Sequence, residues 1–145
     1  MDPYRAYSTI DNSVDGDNKP KLLLKAYQLM LDKIDVVKAA IQKRDIEKKY
    51  EELTKLTMAI EVLDSSLDVS QGEIAGNLSS LYAYLVRRLT GIHASNDLAV
   101  LEECRNIVKQ INEGFVGAYD RERKEKNMSE KRTNSANSPS SCRIA

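Results

Sequence analysis

The sequence predicts an all-α protein: an antiparallel up-down-up-down four-helix bundle with a short N-terminal arm and a disordered C-terminal tail. Three observations carry that expectation. Four stretches place apolar residues at steps of three and four, the spacing of one helix face. Short segments of turn and cap residues join them, which makes consecutive helices antiparallel neighbours. From about Tyr119 the periodicity fails, and the chain becomes charged, then rich in Ser and Asn. The expected organisation is an arm over 1–18, a bundle over 19–118, and a helix fray with a polar tail over 119–145.

The arm is polar, with Asp2, Asp11, Asp15, Gly16 and Asp17. Tyr4, Tyr7 and Ile10 are spaced by three, an apolar stripe if a short helical turn forms. The first long helix begins near Pro20, a residue tolerated in a first turn because its missing N–H would have no partner there. Leu23, Tyr27, Met30, Ile34, Val37 and Ile41 make its heptad-like seam, with Leu24 and Leu31 on the flank. Lys43 and Arg44 close it, and Asp45 caps the second helix. That helix runs to about Leu67 on the stripe Ile46, Tyr50, Leu53, Leu56, Ile60, Leu63 and Leu67. Glu51 and Lys55 have the spacing of an exposed ion pair.

The stretch Gly72–Leu89, GEIAGNLSSLYAYLVRRL, is the best-marked helix. Ser70 and Glu73 have capping-box spacing, and Val69 with Ile74 that of a hydrophobic staple. Ile74, Leu78, Leu81, Leu85 and Leu89 form its apolar face, widened by Ala75 and Tyr82. So broad a face needs more than one neighbour. Gly91 near its end is less favourable than Ala by about 1 kcal/mol. Ala94 to Asp97 supply a turn and a cap. The fourth helix carries Leu101, Cys104, Val108, Ile111, Phe115 and Ala118. Gly114 and Gly117 weaken its end, and the charges of Arg121–Lys126 extend it by a turn or two.

Composition narrows the function. A chain of 145 residues suggests one domain. Its 22 basic and 22 acidic residues balance, against a dedicated nucleic-acid binder. No apolar run approaches the roughly 20 residues of a membrane span, and the first residues hold no signal-peptide core. A cytoplasmic protein without membrane insertion is expected. Cys104 and Cys142 are too far apart for a disulfide framework or a metal pattern, so free thiols are expected. His93 is the only histidine, placed in a loop, and lacks partners for catalysis. With no phosphate-cradling glycine loop and no Glu-x-x-His pair, neither an enzyme nor a cofactor or metal is expected. Cys142-Arg-Ile-Ala145 has the outline of a prenylation box, but Arg is not aliphatic.

Leu24, Leu31, Leu56, Met58 and Val62 lie beside the main seams, and a bundle with such apolar excess leaves a groove. Grooves of this kind accept amphipathic helices. Arg87 and Arg88 suit the helix C-terminus, or pair with an acidic group on a client or on the second helix.

The motif G-E-I-A-x-N-L-x-x-L-Y-x-Y-x-x-R-R-L over Gly72–Leu89 resembles the signature of the flagellar secretion chaperones, the FliS family. Asp45-Ile46-Glu47, Leu67-Asp68 and Asn96-Asp97 match weaker family features in the same order. The resemblance covers about 20–118. Departures are Gly91, where the family has a helix former, and Phe115, where many members carry Trp. It implies a non-enzymatic cytoplasmic chaperone binding the disordered C-terminal region of flagellin, which blocks premature polymerisation and keeps the client competent for type III export. It also implies that the arm, through Tyr4 and Tyr7, folds over the apolar groove until the client displaces it. The implied contacts are Tyr7 and Ile10 of the arm, Leu24, Tyr27 and Leu31 of the first helix, and Ile74, Leu78, Tyr82 and Leu85 of the third. Arg87 and Arg88 are candidate polar contacts. The tail is outside the resemblance, and the export apparatus or a co-chaperone are further partners it leaves open. The rival readings are a generic helical adaptor binding another amphipathic helix, and a bundle enzyme with a metal or cofactor.

Overall fold

A computed structural model describes residues 3–7 and 18–136. Four long helices make up the body: α1 (Asn18–Gln42), α2 (Ile46–Ser65), α3 (Glu73–Ser95) and α4 (Leu98–Ala136). Two 3₁₀ turns, Pro3–Tyr7 in the arm and Val69–Gln71 before α3, complete the described structure. Each helix packs on its two neighbours in a closed ring, α1 on α2, α2 on α3, α3 on α4 and α4 on α1. Cross-helix partners give the directions. Lys33 meets Glu52, Lys49 meets Asn96, Arg88 meets Glu103 and Asp35 meets Arg105. Tyr27, earlier in α1 than Asp35, stacks on Phe115, later in α4 than Arg105. Such crossed order is that of antiparallel pairs.

The helix ends follow capping physics. Arg44 adopts φ +58° to turn out of α1, and the Asp45 N–H donates to the Ala40 carbonyl at 2.8 Å. The Asp45 side chain then accepts from the Lys48 N–H at 3.1 Å, capping α2. Asn96 at φ +53° ends α3, and Asp97 accepts from Ala99 and Val100 at 2.9 and 3.3 Å, capping α4. Asn tolerates the left-handed region better than most residues; Arg44 does so without that advantage.

The apolar stripes fill the ring. Leu23, Tyr27, Met30, Ile34, Leu53, Leu56, Ile60, Leu85, Leu89, Ile92, Cys104 and Val108 are sealed from solvent. Several expectations need correction. The capping box is not formed: Ser70 bonds to Asp68 in the 3₁₀ turn, and Gly72 at φ +110° is the residue before α3. Val69 is exposed, so the staple is not made either. A positive φ at Gly72 lets the chain leave one turn and enter the next helix, and this resets the register of the cap. Ile46 and Tyr50 face solvent, as do Met58, Val62 and Leu81. Lys55 leans toward Glu52 at 3.8 Å rather than Glu51. His93 lies inside α3, beside Tyr50. α4 runs to Ala136, well beyond one or two extra turns. Burial ends at Ala118, so the further turns are a solvated extension rather than core.

Two buried polar groups tie the helices. Glu52 accepts from Lys33 at 3.0 Å, with Lys48 and Lys55 close by. The bond from Lys33 holds its carboxyl below the usual carboxylate range. Lys49 donates to the His93 carbonyl at 3.0 Å and to Asn96 Oδ1 at 2.6 Å. It thereby satisfies the end of α3 from the side of α2.

Candidate binding site beneath the N-terminal arm

The arm is the one described segment that is neither helix ring nor connection. Its 3₁₀ turn lies across the end of the bundle where α3 begins and α4 passes Phe115. Tyr4, Ala6 and Tyr7 are buried, with Tyr7 fully sealed. Three kinds of contact hold them.

The first is aromatic. Tyr4 meets the Phe115 ring edge-on at 5.0 Å, and Tyr7 and Tyr27 lie 5.9 and 5.3 Å from it. Such pairs add about 0.5–1.5 kcal/mol beyond area burial. The second is backbone pairing. The Ala6 carbonyl accepts from the Asp68 N–H at 2.7 Å, and the Tyr4 hydroxyl donates to the Phe115 carbonyl at 2.7 Å. The third is a ring of three phenols. Tyr7 Oη lies 3.2 Å from Tyr27 Oη, Tyr27 Oη lies 2.7 Å from Tyr82 Oη, and Tyr82 closes back on Tyr7. Each hydroxyl has one proton and spare lone pairs, so a cyclic arrangement satisfies all three without water. Burial pushes all three above the ordinary tyrosine range, Tyr27 and Tyr82 most strongly.

The phenol ring explains how α1 and α3 cooperate. They are diagonal in the ring of helices, and Tyr27 and Tyr82 reach across the axis to each other. Tyr7 enters from above and completes the trio. Without the arm, two buried phenols and the Phe115 face would form the floor of an open cradle.

The residues singled out in the sequence occupy this end of the molecule unevenly. Tyr7, Tyr27, Leu31, Leu78, Tyr82 and Leu85 are buried in one apolar cluster. Leu24 and Ile74 are half-buried against it. Ile10 lies outside the described residues. Tyr4, assigned with Tyr7 to the folded-back arm, belongs to the same cradle, as do Ala6 and Phe115, which were not singled out. Their signals were the three-residue spacing of Tyr4 and Tyr7 and the place of Phe115 on the α4 stripe. Arg88 pairs with Glu103 of α4 at 3.4 Å, not with α2. The Tyr84 hydroxyl donates to the other oxygen of Glu103, and this bond raises its pKa. Arg87 lies over the Tyr84 ring at 5.5 Å.

What the site can do chemically is limited. It offers apolar surface, aromatic faces and three neutral hydroxyls. Among the described residues no group of three or more His, Cys, Asp or Glu is placed to hold a metal ion. No described helix is long and apolar enough to cross a membrane. Cys104 is sealed in the core, and burial pushes its thiol up to about 11.

Comparison with known proteins identifies the architecture. The family described as "Flagellar protein FliS" matches residues 1–122. The flagellar secretion chaperone FliS of Bacillus subtilis is 30% identical over 129 residues, covering 89% of this chain and 95% of that protein. FliSB of Pseudomonas aeruginosa, also a flagellar secretion chaperone, is 30% identical over 81% of this chain and 93% of its own length. The Salmonella typhimurium FliS is 35% identical over a shorter stretch, 52% of this chain and 57% of that protein. The match includes the arm and all four helices and stops within the exposed extension of α4. The family match over residues 1–122, with relatives 30% identical over most of the chain, places this helical ring and its N-terminal arm in the FliS family of flagellar secretion chaperones.

Proposed function

We propose that this protein binds the disordered C-terminal region of flagellin in the cytoplasm, through the apolar cradle that its own arm occupies. The carrying observation is the arm itself. A short apolar segment, joined through residues 8–17, sits on Tyr27, Tyr82 and Phe115 by contacts that an amphipathic helix also offers. Exchange of arm for client replaces one set of apolar contacts by a larger one. The client stripes so covered are those that another flagellin would otherwise bury, so binding opposes premature polymerisation and keeps the client exportable. Leu24, Tyr27, Leu31, Ile74, Leu78, Tyr82 and Leu85 form the contact set of the opened cradle, Tyr7 and Ile10 are the arm residues whose place the client takes, and Arg87 and Arg88 are polar contacts at its margin.

Energetics support the reading. Each fully buried Leu or Ile anchor supplies roughly 1.5–3 kcal/mol. A few anchors offset the 2–5 kcal/mol or more spent in ordering a disordered client.

Calorimetric titration of the full chain with a flagellin C-terminal peptide tests this. A one-to-one complex with negative ΔCp and gained peptide helicity is expected. Leu78→Asp, shown to remain folded by circular dichroism, should weaken it. Absence of binding to the cognate flagellin would remove the flagellin reading and leave a helical adaptor for another amphipathic segment.

A further inference from the structure

At the opposite end of the bundle from the arm, where α3 ends and α4 begins, a pocket of about 350 Å³ is lined by Arg87, Arg88, Gly91, Ser95, Asp97 and Val100. We propose that this pocket recognises a carboxylate side chain on an acidic polypeptide segment of a partner protein.

Charge comes first. Arg87 and Arg88 both line the pocket, and the partners of their guanidiniums are few. Arg88 reaches Glu103 through one terminal nitrogen at 3.4 Å, while its Nε is buried with no acceptor. Arg87 rests on the Tyr84 ring, and among the described residues it has no carboxylate within ion-pair reach. Guanidiniums present a planar fork that matches a carboxylate in two parallel bonds.

Shape is the second observation. Gly91 lies inside α3, where Ala would be preferred by about 1 kcal/mol. A Cβ built there meets nothing within 4 Å, so no close approach of another element demands glycine. What a side chain would occupy is the pocket. Glycine at this place keeps the wall between the two arginines open.

The remaining lining selects the ligand. The first free N–H groups of α4, at Ala99 and Val100, are already taken by Asp97. No backbone cradle remains for phosphate, and the Asp97 charge weighs more against a dianion than against a carboxylate. The Ser95 hydroxyl accepts from the Asp97 N–H at 3.2 Å and keeps its own proton to donate. Half-buried Val100 offers an apolar rim for the ligand's stem. Arg87 and Arg88 also stand at the margin of the proposed flagellin contacts, while the rest of the pocket lies apart from the arm cradle; a Glu peptide without apolar anchors therefore separates failure of this proposal from failure of that one.

The test follows Arg Nε–H and Gly91 amide signals by nitrogen-edited NMR on the full chain. The probes are a blocked Ala-Glu-Ala-Glu-Ala peptide, its Gln counterpart and inorganic phosphate. The Glu peptide should shift Gly91, Arg87 and Arg88 saturably, and the Gln peptide should not. Arg87→Gln and Gly91→Leu should each weaken the response about tenfold, the loss typical of one truncated charge contact or more. Gly91→Leu should also raise Tm, because Leu favours helix over Gly, so lost binding would not be lost folding. Equal response to the Gln peptide, phosphate binding as tightly as the Glu peptide, a non-saturating response, or full binding by Gly91→Leu would each overturn the proposal.

Discussion

Tyr7, Tyr27 and Tyr82 place three hydroxyls at the centre of an otherwise apolar cluster. Removing one leaves its partners short of a hydrogen bond, which costs about 1–3 kcal/mol for a buried group. Tyr82→Phe is therefore expected to lower stability by about that amount in urea unfolding, and by more than Tyr50→Phe on the exposed face. The ring also sets an alkaline limit. All three phenols are raised above the unfolded value of about 10. The unfolded chain loses these protons first as pH rises. Their contribution is thus complete below about pH 10 and is lost progressively above it. Absorbance titration at alkaline pH should show these three buried tyrosines ionising only together with unfolding.

Lys49 and Glu52 act at the scale of elements. Lys49 joins α2 to the end of α3, so Lys49→Met keeps the stem and loses two bonds to α3. Hydrogen exchange should speed at the amides around Asn96, with a stability loss of about 1–3 kcal/mol. The main stripes of all four helices were legible in the sequence because a period near 3.6 survives any tertiary detail. So were the Asp45 and Asp97 caps, where one side chain meets its own next turn. The start of α3 was not. Ser70 had two local partners within reach, Asp68 and the α3 N-terminus, and only the path through Gly72 decides between them. Exposure of Ile46, Tyr50 and Leu81 was not legible, because a helix period gives the direction of a face but not where around the helix its buried arc ends. The cradle was half legible: its Tyr and Leu residues stood out, while Phe115 joins it only through the packing of α4 on the arm.

For the whole molecule, the boundary of the core matters more than the end of the helix. Residues 121–132 of α4 are exposed throughout, and the last buried residue is Ala118. Truncation after Glu122 should leave Tm nearly unchanged, with the loss of the Arg123–Tyr119 contact contributing about 0.5–1 kcal/mol. Helical circular dichroism should fall by the share of the removed turns. Phe115→Ala strikes where arm, α1 and α4 meet, and a loss of about 3–5 kcal/mol is expected. Removing residues 1–17 should raise binding of an environment-sensitive apolar dye and tighten flagellin peptide binding under the proposed exchange.

Under the proposed exchange of arm for client, the tether between arm and bundle turns the cradle into a threshold device. A segment held through so short a link presents itself at an effective concentration in the millimolar range. A free peptide in the micromolar range competes only if its own affinity exceeds the arm's by about that ratio. Single apolar side chains, or short peptides with one anchor, are turned away. A long client that fills several positions at once passes the threshold. Under that exchange, selectivity for extended amphipathic chains over casual apolar debris follows from a covalent link to the contacts of three residues, Tyr4, Ala6 and Tyr7.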